Sequence, residues 1–518
     1  MTAPKFSVLY PERRTREEMA EPASPRPQST LACALIVCGV TYLIWTTVKP
    51  SSSLTAPALF EVKEASGMKC PSQNERLLTR YIDDWEGPLI RRLQNTSDEA
   101  IARAESTSWR VLLKDTVHVF SAYLANATVW GIHVVGLVRR DVKLGNSSSS
   151  PRGAIECLVR TADGQSLRRR VFVKEMSEEF PHVFLRAHLI CPLQGVAELT
   201  EPVSITLRAI GTPEAEQVQV PVQKPPAAAP TKCCSVCVRP VHGRTVRLWE
   251  VVEFVTHYRM IGAESFFFYD SNMSQSMLRL VGRLQAEGWD VTLVPFKLTI
   301  PYNDSNVGWG QAAMLSDCAF RSRFKTEYFV NVDFDELAVP SGKYGGNLSA
   351  LIENVESRRG TGKVGSLVLR NRVFCYEHQL NHDYVRRGVL PLRSRILNAH
   401  SGVLKHNFTL KYIARARAVC SAAIHRITEF CRASEEAVYV DSNELVINHY
   451  RRCCDYGVGK EKSWGVDHRH PGYLYVDDSA KALGSSFDGL LPSIASTWLR
   501  HEFEVKEISE AEIINTEE

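Results

Sequence analysis

Residues 328–340 read YFVNVDFDELAVP. The run from Tyr328 to Val332 reads as a buried strand, and it ends in three acids, Asp333, Asp335 and Glu336, set around Phe334. Carboxylates at the mouth of such a strand are costly unless they are paired or hold a metal.

Outward from this stretch, strands and helices alternate. In VRLWEVVEFVTHYRMIG (246–262), Leu248, Val251, Val252, Val255 and Tyr258 fall on one helical face, and Gly262 can close the helix. SFFFYD (265–270) reads as a strand, Met277, Val281 and Leu284 mark a helix ending near Gly288, and WDVTLVPF (289–296) is another strand. A helix in GQAAMLSDCAFRSRF then leads into YFVNV. Such alternation predicts βαβ units and a parallel sheet, whose ligands bind beyond the C-terminal ends of the strands. Asp270 and the cluster from Asp333 to Glu336 both stand at such ends.

Upstream the rhythm differs. From about residue 108 to 208, short alternating runs such as VHVFSAYL, VWGIHVVGLV and HVFLRAHLIC are broken by turn residues, which predicts a β-sandwich. The Pro/Ala-rich stretch 211–232 then predicts a linker between two separately folding units.

The chain of 518 residues is 44% hydrophobic and 23% charged, an ordinary globular composition, and a net charge of +4 gives no sign of nucleic-acid binding. LACALIVCGVTYLIWTTV (31–48) carries no charge and as a helix would be about 27 Å long, enough to span a membrane. A signal peptide would have a shorter apolar region nearer the N-terminus, and a buried core helix would rarely be this long. Arg13, Arg14, Arg16 and Arg26 before the span, against Lys49 and Lys63 after it, favour a cytosolic N-terminus and a lumenal remainder. Seven sequons, at Asn95, Asn126, Asn146, Asn272, Asn303, Asn347 and Asn407, all lie beyond the span. Twelve of the 14 cysteines also follow it, an even number suited to disulfides in an oxidising compartment. CCSVC (233–237) contains a CxxC with no second one to complete a zinc site, and Cys157 with Cys191 is a candidate pair because both sit in the β-rich region.

Two aspartates one residue apart at a strand end can both turn toward a cleft and hold a divalent cation against a diphosphate. Asp-x-Asp also opens the haloacid-dehalogenase phosphohydrolases, but Glu336 and Leu337 fit that pattern poorly. Taken with LWEVVEFVTHYRMIGAESFFFYDSN and GQAAMLSDCAFRSRF, FVNVDFDELAVP resembles glycosyltransferase family 92. LKYIARARAVCSAAIHRI and VINHYRRC are similar to that family's later blocks, so that the resemblance runs over about 233–455 in order. The β-rich region also resembles the family's accessory domain. Where the family usually reads Asp-x-Asp-Glu-Phe, this chain has Leu337.

The resemblance implies an α/β chain whose catalytic domain has the GT-A fold: Rossmann-like, with a mostly parallel sheet. It also implies a UDP-sugar donor, UDP-galactose in characterised members, with manganese or another divalent cation and inversion at the sugar carbon. Asp335 would be the principal metal ligand, and Asp333 would bind metal or donor. Glu336 would orient them, and His449 could be a third ligand. Asp270, Lys411 and Arg451 (or Arg452) are candidates for holding the nucleotide sugar, and His425 matches a family block without an obvious role. Inversion needs a general base, and Asp383, Asp441, Glu377 and Glu336 stay open for it.

The expected layout is a cytosolic tail (1–30), anchor (31–48), stem (49–100), β-sandwich accessory domain (101–210), linker (211–232), GT-A domain (233–500) and acidic tail (501–518). The expected activity is galactose transfer from UDP-galactose to a glycan acceptor by a single-pass type II protein of the Golgi membrane. The alternative is an inactive, membrane-tethered carbohydrate-binding protein. A homodimer stays open.

Overall fold

The computed structural model describes residues 101–140, 155–176, 183–194, 202–210, 217–243, 246–300, 310–376 and 410–451, the pairs 399–400 and 475–476, and parts of 83–94, with residues 128 and 227 excepted. The expected tail, anchor and acidic C-terminus lie outside these residues, as do Asn95, Asn146, Asn303, Asn407, Glu377, Asp383 and Arg452. Among the described residues no helix is long and apolar enough to cross a membrane.

The first part is nine strands: β1 (Arg110–Leu113), β2 (Val117–Asn126), β3 (Trp130–Arg139), β4 (Ile155–Thr161), β5 (Ser166–Arg170), β6 (Phe172–Glu175), β7 (Phe184–Pro192), β8 (Pro202–Ala209) and β9 (Gln217–Gln223). Strands β5, β4, β8 and β9 pair in that order, and β2, β3, β7 and β6 in theirs; a short parallel ladder between β9 and β2 joins the two groups. Ile132 and Val134 from one group pack with Cys157, Val159, Ile205 and Leu207 from the other in a single apolar core. A Cys157–Cys191 disulfide, Cα atoms 6.2 Å apart, ties β4 to β7 across it. The alternating runs do form strands, and the ladder between β9 and β2 makes them one nine-stranded sheet whose two groups share a core.

Two expected boundaries move. Residues 217–223, placed in the linker by their Pro-rich surroundings, form β9, because QVQVPVQ keeps period two and buries Val218, Val220 and Val222. Residues 83–94, placed in the stem, include helical turns that bury Leu89 and Leu93 in the core of the C-terminal part.

That part comprises β10 (Lys232–Val238), β11 (Val241–Gly243), α1 (Leu248–Met260), β12 (Ala263–Met273), α2 (Gln275–Ala286), β13 (Val291–Pro295), α3 (Gln311–Lys325), β14 (Thr326–Val332) and β15 (Glu336–Pro340). It continues with α4 (Leu348–Arg359), β16 (Val364–Leu369), β17 (Asn371–Cys375), β18 (Ala399–His400), β19 (Lys411–Arg415), β20 (Val419–Ala422), β21 (Ile427–Phe430), β22 (Glu436–Tyr439) and β23 (Leu445–Arg451). Strands β13, β12, β10 and β14 are parallel neighbours; β19 adds antiparallel to β14 and is followed by β16 and β22. Gly262, at φ 102°, turns the chain from α1 into β12 in a conformation that disfavours side chains. A smaller sheet, β15-β23-β17, starts where β14 ends.

The two parts are not separate bodies. Phe120, Tyr123, Val135, Leu137 and Phe184 of the β-rich part share one core with Phe296, Met314 and Phe320. Within that contact the buried Asp317 of α3 accepts hydrogen bonds from Ser121 Oγ, Tyr123 OH, Tyr269 OH and Arg321 Nε. Buried polar groups bonded across a boundary make it an interior surface, so the expected pair of independent units is corrected to one joined body.

Candidate active site

The site begins where β14 gives out. Phe334 turns inward and packs on Phe254 and Phe268, with ring centroids 4.9 Å and 5.7 Å away, and this anchor fixes the turn that carries the acids on either side. Glu336 Oε2 accepts from the Asp333 backbone N–H at 2.9 Å, and the Tyr450 N–H donates to the Asp335 carbonyl at 2.8 Å. Helix α1 holds the next strand: Tyr258 OH donates to the Glu336 carbonyl and accepts from the Ala338 N–H, and His257 Nε2 binds the Ala338 carbonyl.

Two of the acids share one cation. Lys411 Nζ, at the start of β19, lies 2.8 Å from Asp333 Oδ2 and 3.0 Å from Glu336 Oε2, and it is buried. Burial works against the charge of Lys411, but Asp333 and Glu336 outweigh it and raise its pKa. Burial likewise opposes ionisation of Asp333, yet Lys411 and Arg239 hold its carboxyl below the usual range. Glu336 goes the other way: burial lifts its pKa, and the charge of Asp333 adds to that. Arg239, just past β10, is itself raised by Asp333, Asp335 and Glu336 against the effect of burial.

The third acid faces outward. Asp335 Oδ2 lies 3.3 Å from His449 Nε2, and the Asp335 side chain is 31% exposed. The register explains the meeting, since His449 of β23 is the cross-strand partner of Glu336 in β15. Its other ring nitrogen, Nδ1, lies 3.6 Å from Glu336 Oε1. On α3, Gln311 Nε2 reaches Asp333 Oδ1 at 3.5 Å.

A carboxylate and an imidazole meeting beside a charge-rich turn form a donor pair that suits manganese or a similar cation. Among the described residues no group of three His, Cys, Asp or Glu side chains surrounds one point, so the pair would need further ligands from a bound diphosphate or water.

The fold therefore gathers Asp333, Asp335, Glu336, His449 and Lys411. Asp333 Oδ2, expected to face metal or donor, is committed to Lys411. Asp270 stands at the end of β12, but its Oδ1 accepts from the Asn272 and Met273 N–H groups, as a turn-forming aspartate does. Asp441 does not join: it sits in the turn before β23, with Oδ1 on the Asn443 N–H. From Leu445 to His449 the strand alone covers about 13 Å, because it rises roughly 3.3 Å per residue. Glu336, also expected as a base, is buried and paired with Lys411. Arg451 ends β23 opposite Cys375. Of the sequons described, Asn126 and Asn272 are exposed, whereas the Asn347 side chain caps α4 by accepting from the Ser349 and Ala350 N–H groups. Arg239 and Gln311 went unread in the sequence, although Arg239 follows an apolar strand just as Asp333 does.

Residues 232–473 match the family described as glycosyltransferase family 92. No curated protein matches. Among solved structures the chain is similar to a mycobacterial protein, at 15% identity and a TM-score of 0.25, over 46% of this chain and 76% of that one. It is also similar to M. tuberculosis glucosyl-3-phosphoglycerate synthase, at 9% identity and a TM-score of 0.22, over 48% and 88%. Overlaps this loose carry no argument.

Proposed function

We propose that residues 232–473, which match glycosyltransferase family 92, transfer galactose from UDP-galactose to a glycan, with inversion and with manganese. The observation that carries the reading is the Asp335–His449 pair at the end of β14, beside two acids that share Lys411. Asp335 Oδ2 and His449 Nε2 would hold the cation, which when bound offsets charge on the departing diphosphate.

The chain's own residues do the rest. Lys411 clamps Asp333 and Glu336, so the turn keeps its shape whether or not a cation is present. Glu336 Oε1 lies 3.6 Å from His449 Nδ1, and the pairing of β15 with β23 sets His449 beside the acids with Nε2 toward Asp335. Arg239 supplies a guanidinium at the C-terminal end of β10, where a diphosphate would lie in a parallel sheet.

The proposal extends to place: a type II protein anchored by residues 31–48, with this domain in the Golgi lumen. The sequons support it, and so do the disulfides Cys157–Cys191, Cys237–Cys318 and Cys420–Cys431.

The test is to incubate the detergent-solubilised full chain with a panel of UDP-sugars and glycans, with manganese or with a chelator, and to measure UDP release. UDP release from UDP-galactose that stops on chelation is the expected result. Equal turnover under chelation would remove the metal from the reading, and turnover with a different UDP-sugar would reassign the donor.

A further inference from the structure

Inversion requires a group to take the acceptor's proton, and none of the candidate acids among the described residues is free to do so. Glu336 is buried against Lys411, Asp441 is remote, and Asp335 faces His449. We infer that His425 is this base and that Nε2 is its accepting atom; the inference rests on the glycosyl-transfer reading above.

The backbone brings His425 to the site. Ile424 precedes it, and the Ile424 carbonyl accepts from Asn331 Nδ2 at 2.7 Å. Asn331 lies two residues before Asp333 on β14 and is buried. On the other side, His425 Nδ1 lies 3.1 Å from the carbonyl of Leu410, the residue before Lys411. The loop between β20 and β21 is thus pinned at both of the strands that supply the Asp333–Lys411 pair.

The same contact fixes the tautomer. A carbonyl can only accept, so Nδ1 carries the hydrogen and Nε2 is left with the lone pair. The ring is half-buried, and Nε2 has no hydrogen-bond partner among the described residues. Three charged or titratable groups act on it: Lys411 from β19, Asp333 from the end of β14 and His449 from β23. Burial first, then Lys411, hold the imidazole at about 4, so it stays neutral near pH 6–7 with a basicity close to that of an ordinary carboxylate.

In the step, the acceptor hydroxyl oxygen bonds to the anomeric carbon of the donor sugar. The bond from that carbon to the donor phosphate breaks, and its electron pair leaves with the nucleoside diphosphate. The hydroxyl proton passes to Nε2, and the imidazolium formed is favoured by the charge of Asp333.

The experiment uses the solubilised full chain with manganese and the best acceptor glycan from the panel. His425→Asn keeps a donor toward Leu410 and removes Nε2; His425→Gln is the second variant, and Asp383→Asn tests the rival base. Calorimetry reads UDP-galactose binding, UDP release reads transfer, and thermal melting reads the fold. His425→Asn should lose about 100-fold or more in transfer while donor affinity and melting temperature hold. If the Asn variant melts early, the Gln variant, which cannot take a proton, should show the same loss. Unchanged transfer in both, or a fall explained by weaker donor binding, overturns the inference. So does loss of transfer in Asp383→Asn alone. If the wild-type chain binds no UDP-sugar, the donor reading fails first and this inference falls with it.

Discussion

Asp317, buried in α3, and Asp335, just past the end of β14, are both carboxylates beside the same sheet, and the fold treats them in opposite ways. Around Asp317 every neighbour is supplied: three hydroxyls and the Arg321 guanidinium, whose other arm reaches Glu105 and Thr107. Nothing is left to bind there, and the cluster joins the β-rich part to α3. Around Asp335 the neighbouring acids are paired with Lys411, while Asp335 itself lies 3.3 Å from His449 and its side chain stays 31% exposed. A carboxylate sealed among buried partners is structural, and one left open to solvent beside a histidine is available for chemistry.

Substitution should separate the two clusters. Asp317→Ala strands Tyr123 OH, Tyr269 OH and Ser121 Oγ in the interior and removes half of a buried ion pair. Losing one partner of such a pair costs about 3–5 kcal/mol. Denaturant unfolding should show that loss, and a drop under 1 kcal/mol would end the view of Asp317 as the joint. Asp335→Asn should do the reverse. Melting should hardly change, while transfer falls on the order of 100-fold, as when one preorganised charge-stabilising group is lost. An early melt with activity intact would recast Asp335 as structural.

Much of this was legible in the sequence. Period-two runs such as HVFLRAHLIC marked β7, the apolar stripe of 246–262 marked α1, and the acids after YFVNV marked the mouth of β14. What escaped was non-local. Neither the pairing of Lys411 with residues 78 and 75 positions earlier nor the register that sets His449 against Glu336 has a local signature. QVQVPVQ was masked by its Pro-rich surroundings, and Leu89 and Leu93 looked like stem because their partners lie in the distant core. Arg239 was readable, since it ends an apolar strand in the same way as Asp333.

Acid should strain the joint between the parts. His133 and His188 face α3, around Phe320. Burial above all holds His133 at about 4, and burial with Arg186 pushes His188 well below its ordinary value. The folded-state pKa values are depressed, so the unfolded chain binds protons that the folded chain refuses. Stability is therefore full above about pH 6.5 and declines from there down to about 4. His133 alone gives a loss of about 2 kcal/mol at pH 5. Urea midpoints at pH 7.5 and pH 5 should differ accordingly, and His133→Gln should flatten the difference. A midpoint that does not move with pH would show that these imidazoles are hydrated.

The smallest effect is expected from a third carboxylate that has many partners but little shelter. Glu444, in the turn before β23, accepts from Lys343 Nζ at 2.7 Å, Tyr344 OH at 2.6 Å and Arg358 Nη2 at 2.9 Å. These bonds, that from Lys343 first, hold its carboxyl at about 2. The sign is that of a depressed acid: its stabilisation is present above about pH 4.5 and is lost only as the pH falls toward 2. By count of partners Glu444 resembles Asp317. Its two cations, however, are half exposed, Lys343 at 53% and Arg358 at 51% of their side-chain surface, so water and salt screen them. Glu444→Gln should therefore cost less than about 1 kcal/mol at neutral pH, and less again in 1 M salt. A loss as large as that of Asp317→Ala would mean that the number of partners, rather than their burial, decides what a carboxylate contributes in this fold.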